Sequence, residues 1–338
     1  MKKKNIVIML GGNNYEHNVS LKTGYSIGRE LLKYNKFNIL FIAIDFENRW
    51  YYSDDIDKII IYHENIDIIK INTNLPKVYQ IGNGKINNKV IDCIFLATHG
   101  KYLEDGNLQG FLETNLLKYT GSKTTGSVIG MNKHLSKIIA KSNGINIVDS
   151  VCIYNNMIND DIEKSIKELG DKLVVKINSS GSSEGVFFTN YKNKNFFINK
   201  AFTMDNIVLI EKNINCRELS IGVIEKNKKL IFSEIGEYIK NDRFFNYEDK
   251  YRCNNYGHII PAEISDIVKK KIIEFSEILF SKLSLNNYAR IDFFLENDKL
   301  YFNEVNTLPG FYKNSLFVNL WNKINYLDLI LLIINTSN

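Results

Sequence analysis

The residues best suited to chemistry lie near the C-terminus, in two short apolar runs separated by a polar turn. The first run, residues 288–295, contains Asp292, and the second, residues 300–306, contains Glu304 and Asn306. Apolar and polar side chains alternate along both runs as in β-strands, and a hairpin would bring the three oxygen-bearing side chains together. Such oxygens are the ligands that Mg²⁺ prefers when it carries substrate phosphates. The alternative interpretation is an edge hairpin with solvated charges.

A second segment could hold phosphate. Residues 179–185 form a loop of serines and glycines that also contains Glu184, and Lys176 lies just before it. Small residues let backbone N–H groups approach phosphate oxygens, and a lysine adds a compact positive charge. The segment is not a Walker P-loop, because no Gly-Lys-Ser/Thr follows the glycines. A flexible hairpin turn is therefore the competing interpretation.

Two polar loops follow predicted strands in the N-terminal third of the chain. Residues 11–20 contain Glu16 near the expected start of a helix, where it could face a cleft or merely cap the helix. Residues 99–110 contain a histidine, two carboxylates and three glycines. The spacing in this second loop does not match a zinc site, so we interpret it as a substrate-facing loop.

The elements that position these loops follow a β-α-β pattern. Strands are predicted at residues 5–10, 37–44 and 90–97, with a helix at residues 20–34 for which Ser20 is the expected N-cap. This order predicts an α/β fold with a parallel sheet and helical crossovers. Ligands bind beyond the carboxyl ends of the strands in such sheets, which is where both polar loops fall.

The remainder of the chain predicts mixed helices and strands. Strand-like runs begin at residue 172 and recur as far as residue 235, and helices are expected at residues 131–143 and 265–283. We expect joins near residues 121 and 212. The expected parts are residues 1–121, 122–212 and 213–338.

Composition is that of an ordinary globular protein. The chain has 338 residues, of which 44% are hydrophobic and 24% charged, enough for two or three domains. The net charge of +5 is spread along the chain, so no nucleic-acid partner is expected. The four cysteines are far apart, which predicts reduced thiols. Because the apolar runs are too short for a signal peptide or a membrane span, we expect a cytoplasmic protein without a membrane partner.

Taken in order, these motifs resemble the D-alanine–D-alanine ligases of the ATP-grasp superfamily, from about residue 5 to residue 316. The matching segments are Glu16-His17-x-Val19-Ser20, His99-Gly100-x-x-x-Glu104-Asp105-Gly106-x-x-Gln109-Gly110, Tyr119-Thr120-Gly121-Ser122, Met131-Asn132-Lys133, Lys176 with Gly181-Ser182-Ser183-x-Gly185, Glu211-Lys212, Arg217-Glu218-Leu219, Tyr247-Glu248-x-Lys250-Tyr251 and residues 290–310. The resemblance implies an N-terminal substrate-binding, pre-ATP-grasp domain with a parallel sheet at residues 1–121. A two-lobed α+β ATP-grasp domain would follow, with its central lobe at 122–212 and its C-terminal lobe, carrying the metal and catalytic residues, at 213–338.

The resemblance also implies a role for each matching residue. ATP would be held by Lys133, Lys176, Ser183, Glu211, Lys212, Ile214 and Glu218. Two Mg²⁺ or Mn²⁺ ions would be bound by Asp292, Glu304 and Asn306. Catalytic roles would belong to Glu16, Ser182, Tyr251, Arg290 and Gly310. Substrate contacts would be made by His99, Lys250, Ser315 and Leu316.

The implied reaction joins two D-alanines for peptidoglycan synthesis, through an acyl phosphate formed from ATP; homodimers are usual in this family. The sequence departs from the family pattern at Leu103, Asn132, Ile177, Glu184 and Cys216. These departures keep open a second possibility, a ligase that joins D-Ala to D-Ser or another pair of amino acids. A regulator that binds nucleotide without catalysis is disfavoured, because the metal ligands and Arg290 are intact.

Overall fold

The computed structural model describes residues 3–63, 68–155, 157–181, 184–239 and 257–337. Its strands are β1 Lys4–Gly11, β2 Phe37–Ile44, β3 Trp50–Ser53, β4 Ile60–His63, β5 Ile68–Ile71, β6 Ile81–Gly82, β7 Lys85–Ile86, β8 Lys89–Val90, β9 Cys93–Leu96, β10 Ser150–Tyr154, β11 Lys172–Ile177, β12 Val186–Asn190, β13 Ile207–Lys212, β14 Arg217–Lys226, β15 Lys229–Tyr238, β16 His258–Ile259, β17 Tyr288–Glu296 and β18 Lys299–Asn306. Its helices are α1 His17–Tyr34, α2 Ile56–Ile59, α3 Asn107–Thr114, α4 Thr124–Met131, α5 Lys133–Ser142, α6 Asp160–Glu168, α7 Lys194–Phe202, α8 Asp266–Lys282, α9 Leu316–Leu320 and α10 Tyr326–Thr336.

The N-terminal sheet has the predicted parallel core. Its strand order is β3-β2-β1-β9; β1 pairs in parallel with β2 and β9, and β3 is an antiparallel edge. The residues of β1 from Ile6 to Leu10 are fully buried. This near-continuous apolar run is typical of a parallel strand covered on both faces. The α/β prediction for this part of the chain is confirmed.

The start of the first helix differs from the prediction. α1 begins at His17 with Glu16 in the N-cap position, whereas we expected Ser20 to cap it. Instead, the Ser20 hydroxyl accepts a hydrogen bond from the Gly11 N–H and donates one to the Ala97 carbonyl, each at 2.7 Å. The prediction of the N-cap was wrong because Ser20 is buried, where its hydroxyl satisfies backbone groups at the ends of two neighbouring strands.

The middle of the chain folds into an antiparallel sheet of order β10-β13-β11-β12. α6 and α7 pack against it, and Ile166 and Ile198 bury their side chains in its core. The helix predicted at residues 131–143 is α5, which begins at Lys133 and ends at Ser142. Asn132 separates α4 from α5 and caps α5, because its side chain accepts a hydrogen bond from the Leu135 N–H at 2.8 Å.

The C-terminal sheet is antiparallel, with strand order β16-β15-β14-β17-β18. The predicted hairpin is its β17–β18 pair, and Asp292 lies directly opposite Glu304 in the register. Asn297 and Asp298 form the turn with φ of 47° and 63°, the left-handed conformation that suits a tight hairpin. α8 is the helix predicted at residues 265–283; it covers this sheet and has Ser265 as its N-cap.

The end of the chain returns to the N-terminal sheet. Phe311, Phe317 and Leu329 are buried in the same apolar core as the residues of β1 and β9. Asn287 strengthens this junction, because its side chain accepts from the Gly121 N–H at 2.7 Å and donates to the Ile333 carbonyl at 3.0 Å. In the described part of the chain, no helix is both long enough and apolar enough to cross a membrane.

Candidate active site

The β17–β18 hairpin holds Asp292 in a saturated hydrogen-bond network. Arg290, two residues earlier on the same strand, donates from Nε to Asp292 Oδ1 and from a terminal nitrogen to Oδ2, both at 2.8 Å. Ser220 on β14 donates to Oδ1 at 2.6 Å, and Asn306 donates to Oδ2 at 2.9 Å. Burial opposes a charged guanidinium, but the Asp292 carboxylate raises the pKa of Arg290 well above its usual value. Arg290 therefore stays positively charged.

Glu304 extends from the same hairpin toward helix α5. Its carboxylate lies 3.4 Å from Lys133 Nζ, and about a quarter of its side chain is exposed. Lys133 is the first residue of α5, and its ammonium also donates to the Ser180 carbonyl in the loop after β11. One lysine thus joins the hairpin carboxylate to the small-residue loop.

The hairpin oxygens suit a hard divalent cation. Asp292 and Glu304 are opposite one another in the hairpin. Asn306 donates to Asp292 through its amide nitrogen, so this bond does not use its amide oxygen, which is a suitable ligand for such a cation. A cation that binds Asp292 would compete with Arg290, because Oδ1 of the carboxylate already accepts two hydrogen bonds and Oδ2 accepts three. Among the described residues, no group of three His, Cys, Asp or Glu side chains is placed to hold a metal, so the amide would be an essential third ligand.

A cavity of about 920 Å³, counting its open mouth, lies between the middle and C-terminal sheets. Apolar side chains and several charged ones share its wall. The lining residues are Lys133, Val148, Val174, Lys176, Ser180, Val186, Phe188, Glu211, Lys212, Asn213, Ile214, Cys216, Glu218, Phe294, Asn303 and Glu304.

A buried group of three charged residues forms part of the wall of this cavity and extends behind it. Glu211 on β13 contacts Lys137 Nζ through Oε1 and Lys176 Nζ through Oε2, each at 2.6 Å. Burial alone would raise the pKa of Glu211, but the two ammonium groups lower it to about 2. Burial alone would lower the pKa of Lys176, yet Glu211 reverses the effect and raises it. Lys176 is therefore a fixed cation at the cavity wall.

A second cavity lies beside the first, between the N-terminal loops and the loop after β11. Glu16, Gly181 and Glu184 are among its lining residues. A Cβ atom added at Gly181 would lie 3.0 Å from Glu16 and 3.4 Å from Glu104, so both carboxylates approach this glycine closely. Burial and the charge of Glu16 raise the pKa of Glu104 well above its usual value and that of Glu184 to about 7.

His99 lies behind this cavity and is buried. Its Nδ1 is 2.9 Å from the Leu308 carbonyl, and its Nε2 is 3.1 Å from the Thr23 hydroxyl. A carbonyl oxygen can only accept, so Nδ1 carries the proton and Nε2 accepts from Thr23. Burial lowers the pKa of His99 to about 4, which makes it neutral at pH 7.

Family models account for most of the sequence. Residues 5–122 match the model of the D-ala D-ala ligase N-terminus, and residues 139–335 match the model of the D-ala D-ala ligase C-terminus. The chain belongs to the D-alanine–D-alanine ligase family. The predicted resemblance is therefore confirmed.

Named relatives agree with this assignment. The D-alanine--D-alanine ligase of Wigglesworthia glossinidia brevipalpis is 34% identical over 333 residues, which cover 95% of this chain and 94% of the relative. The VanG D-Ala:D-Ser ligase from Enterococcus faecalis superposes with a TM-score of 0.82 at 26% identity, covering 99% of both chains. The D-alanine--D-Alanine ligase from Bacillus anthracis complexed with ATP gives a TM-score of 0.74 at 28% identity, covering 98% of this chain and 97% of that one.

Most site residues expected from the family pattern lie together in the structure. The expected ATP residues Lys133, Lys176, Glu211, Lys212, Ile214 and Glu218 line the first cavity. Glu16 lies at the second cavity, and the hairpin adjoins both, because a small space between them is lined by Glu304, Asn306, Lys133 and Gly181. Ser182, Ser183, Lys250 and Tyr251 lie outside the described residues.

Three other expected residues follow the hairpin. Gly310 has room around it, since the nearest atoms to an added Cβ would be 3.8 Å away. Ser315 is buried at the start of α9, and its hydroxyl has no hydrogen-bond partner among the described residues. Leu316 packs into the N-terminal core beside it. His99 is packed behind the site, with both ring nitrogens bonded internally.

Sequence reasoning missed two residues that organise a ligase site of this kind. Ser220 supports Asp292 from the adjacent strand, a contact that depends on strand pairing across 72 residues and leaves no local signal. Lys137 supports Glu211 from α5. Its position four residues after Lys133, on the same face of a helix, was a signal that could have identified it.

Proposed function

We propose that this protein joins two D-alanines to D-alanyl-D-alanine with the hydrolysis of ATP, for peptidoglycan synthesis. The observation that carries the proposal is the hairpin of Asp292, Glu304 and Asn306, which adjoins a cavity lined by Lys133 and Lys176 in a chain of this ligase family. Phosphoryl transfer depends on positioning and charge neutralisation, and this arrangement supplies both.

The nucleotide would occupy the first cavity. Lys133 and Lys176 would contact its phosphates, and Ser183 would contribute from the loop after β11. The segment from Glu211 to Ile214, which includes Lys212, would line the adenine pocket, with Glu211 next to Lys176. Glu218 would contact the ribose. The apolar side chains of Val148 and Phe294 in the same wall support a place for the base.

Asp292, Glu304 and Asn306 would hold two Mg²⁺ or Mn²⁺ ions. Bound there, the ions would neutralise charge on the phosphates of ATP. Lys133 lies 3.4 Å from Glu304, so it adds a cation next to the same carboxylate.

The first D-alanine would bind at the second cavity with its ammonium near Glu16. Its carboxylate would attack the γ-phosphate, giving an acyl phosphate and ADP. We infer that Ser182 and Tyr251 complete a hydrogen-bonded chain from Glu16, and that Lys250 and His99 contribute to the substrate site. Because His99 is already bonded to Leu308 and Thr23, its contribution would be to hold the loop rather than to contact substrate.

The amine of the second D-alanine would then attack the acyl carbon, and phosphate would leave. Arg290 and the Gly310 N–H would stabilise the oxyanion of the tetrahedral state. The buried hydroxyl of Ser315 has no partner within the described ranges of the chain, which supports a place for the carboxylate of this substrate next to Leu316. Exclusion of water from this site would protect the acyl phosphate.

The division at residues 121 and 212 and the assembly of the protein are also proposals. Each of the three parts contains one of the larger sheets, which supports the division. We infer a homodimer from the family pattern, and a cytoplasmic location because ATP is a cytoplasmic substrate.

Product analysis tests the substrate assignment. The protein would be incubated with MgATP and D-alanine alone, or with D-alanine plus D-serine, D-lactate or L-amino acids, and products identified by mass. We expect phosphate release and D-alanyl-D-alanine with D-alanine alone. Turnover only in a mixture with D-serine would favour the D-Ala:D-Ser activity that the Enterococcus faecalis neighbour is named for.

A further inference from the structure

Lys137 is a buried basic residue to which the proposed reaction assigns no role. Its side chain is 2% exposed and extends from α5 to Glu211, at 2.6 Å. The described residues that line the nucleotide cavity include Lys176 and Glu211 but not Lys137. Lys137 therefore acts on the cavity only through its neighbours.

Glu211 divides its carboxylate between two lysines. Oε1 contacts Lys137, and Oε2 contacts Lys176, at equal distances of 2.6 Å. Burial lowers the pKa of Lys137, and the Glu211 carboxylate opposes this effect. With both lysines protonated, two ammonium groups and one carboxylate carry a net charge of +1. Without Lys137, Glu211 and Lys176 would form a neutral pair, and the positive charge at the cavity wall would be cancelled. Because the group is buried, this cancellation would be weakly screened by water or salt.

Helix α5 carries both Lys133, which lines the cavity, and Lys137, which lies behind the cavity wall. Lys133 and Lys137 are four residues apart and therefore lie on one face of the helix. Lys133 contacts Glu304 on β18, and Lys137 contacts Glu211 on β13. One face of α5 thus contacts a carboxylate from each of the two sheets on either side of the cavity.

We propose that Lys137 is a positioning residue that balances the charge of Glu211, so that Lys176 keeps its place and the buried group keeps a net positive charge for the phosphates of a bound nucleotide. The inference rests on the proposed nucleotide site. It adds a residue that contacts neither nucleotide nor amino acid and that works through one carboxylate.

The first measurement is MgATP affinity, by titration calorimetry without amino acids. Lys137→Met removes the charge and keeps the length of the side chain. We expect it to weaken MgATP binding by about tenfold or more, a typical size for coupling within a buried charge network. Lys141→Met is the matched control, because Lys141 is exposed one turn further along α5. The MgATP affinity of this variant should equal that of the wild type.

A double-mutant cycle with Glu211→Gln separates positioning from packing. If Lys137 works through Glu211, Lys137→Met should change MgATP affinity by less than about threefold once Glu211 is already Gln. The double variant loses one charge of each sign, so its comparison with Glu211→Gln remains available even where Lys137→Met alone does not fold.

An equal loss of affinity in both backgrounds would overturn the inference, since Lys137 would then act without Glu211. Unchanged affinity in Lys137→Met would overturn it as well. Failure of the wild-type protein to bind MgATP would instead refute the nucleotide site itself, and the proposed function with it. Because no amino acid is present in the assay, a wrong substrate assignment would leave the result unaffected.

Discussion

Arg290 is held by the carboxylate that would also bind metal. Its guanidinium pairs with Asp292 through both oxygens, and the pair is almost fully buried. A cation fixed in this way is already aligned before the reaction begins, so it can stabilise a developing oxyanion without reorganisation. The same contact means that Arg290 and a metal ion at Asp292 influence one another.

Arg290→Ala should lower turnover of MgATP and D-alanine by roughly 10²–10³-fold, the effect of losing one oxyanion donor. Nucleotide affinity should remain largely intact, because Lys133 and Lys176 are unchanged. Steady-state kinetics and MgATP titration would measure the two effects. Arg29→Ala, which removes an exposed arginine paired with Asp57, serves as the control. A change confined to the Michaelis constant would contradict the role assigned to Arg290.

Burial of His99, the first residue of the loop 99–110, makes the free energy of unfolding depend on pH in the acid range. Its pKa falls from 6.5 to about 4 on folding because the ring is buried. A histidine whose pKa is lowered by folding binds its proton more readily in the unfolded state. The contribution of the neutral side chain to the free energy of unfolding is therefore fully present above about pH 6.5, and it is lost as the pH falls to about 4.

The expected effect is roughly 2–4 kcal/mol in the free energy of unfolding between pH 7 and pH 4. His99→Gln should start less stable at pH 7 and lose less stability on acidification, as measured by denaturant titration at several pH values. His134→Gln, a change at a half-buried histidine on α5, should keep most of the acid dependence of the wild type. Equal acid dependence in His99→Gln and the wild type would rule out His99 as its source.

At the scale of elements, helix α4 packs closely against Ser284 and Thr307, and two of its glycines make this close approach possible. A Cβ at Gly126 would lie 2.3 Å from the Ser284 carbonyl oxygen, and one at Gly130 would lie 2.6 Å from the Thr307 side chain. Thr307 follows directly after β18. The packing of α4 therefore helps to set the position of the hairpin that carries Glu304 and Asn306.

Gly126→Ala should destabilise the protein by about 1–3 kcal/mol, because the backbone of Ser284 cannot move aside as a flexible side chain would. Gly110→Ala on α3 is the matched control. Its added Cβ would meet only Thr124 side-chain atoms, at 3.7 Å or more, so we expect little change or up to about 1 kcal/mol of added stability. Thermal unfolding compares the two, and equal melting temperatures would contradict the tight fit at α4.

The elements most accessible from sequence were those with local signals. The β17–β18 hairpin was predictable because its alternation and polar turn are contained in about 20 residues, and α8 because its apolar spacing is regular. Ser20 was misjudged, since burial of its hydroxyl depends on β9, more than 70 residues away. The contacts of Ser220 and Lys137 depend in the same way on the pairing of distant elements.

At the scale of the whole molecule, three apolar cores surround the site. One joins the N-terminal sheet to the end of the chain, one underlies the middle sheet, and one fills the space between the C-terminal sheet and α8. The order of motifs in the sequence was enough to predict the family and the N-terminal parallel sheet. The sequence could not predict that apolar residues within 311–334 pack into the N-terminal core, because an apolar helix does not specify which element it packs against.

The most direct test of the proposed reaction follows an oxygen atom. If the carboxylate of the first D-alanine attacks the γ-phosphate of ATP, one of its oxygens must leave with the phosphate when the second amine displaces it. The protein would be incubated with MgATP and D-alanine labelled with ¹⁸O in its carboxylate, and both products analysed by mass spectrometry. We expect D-alanyl-D-alanine together with inorganic phosphate that carries one ¹⁸O atom. Unlabelled phosphate, or ATP hydrolysis without dipeptide, would contradict ligation through an acyl phosphate.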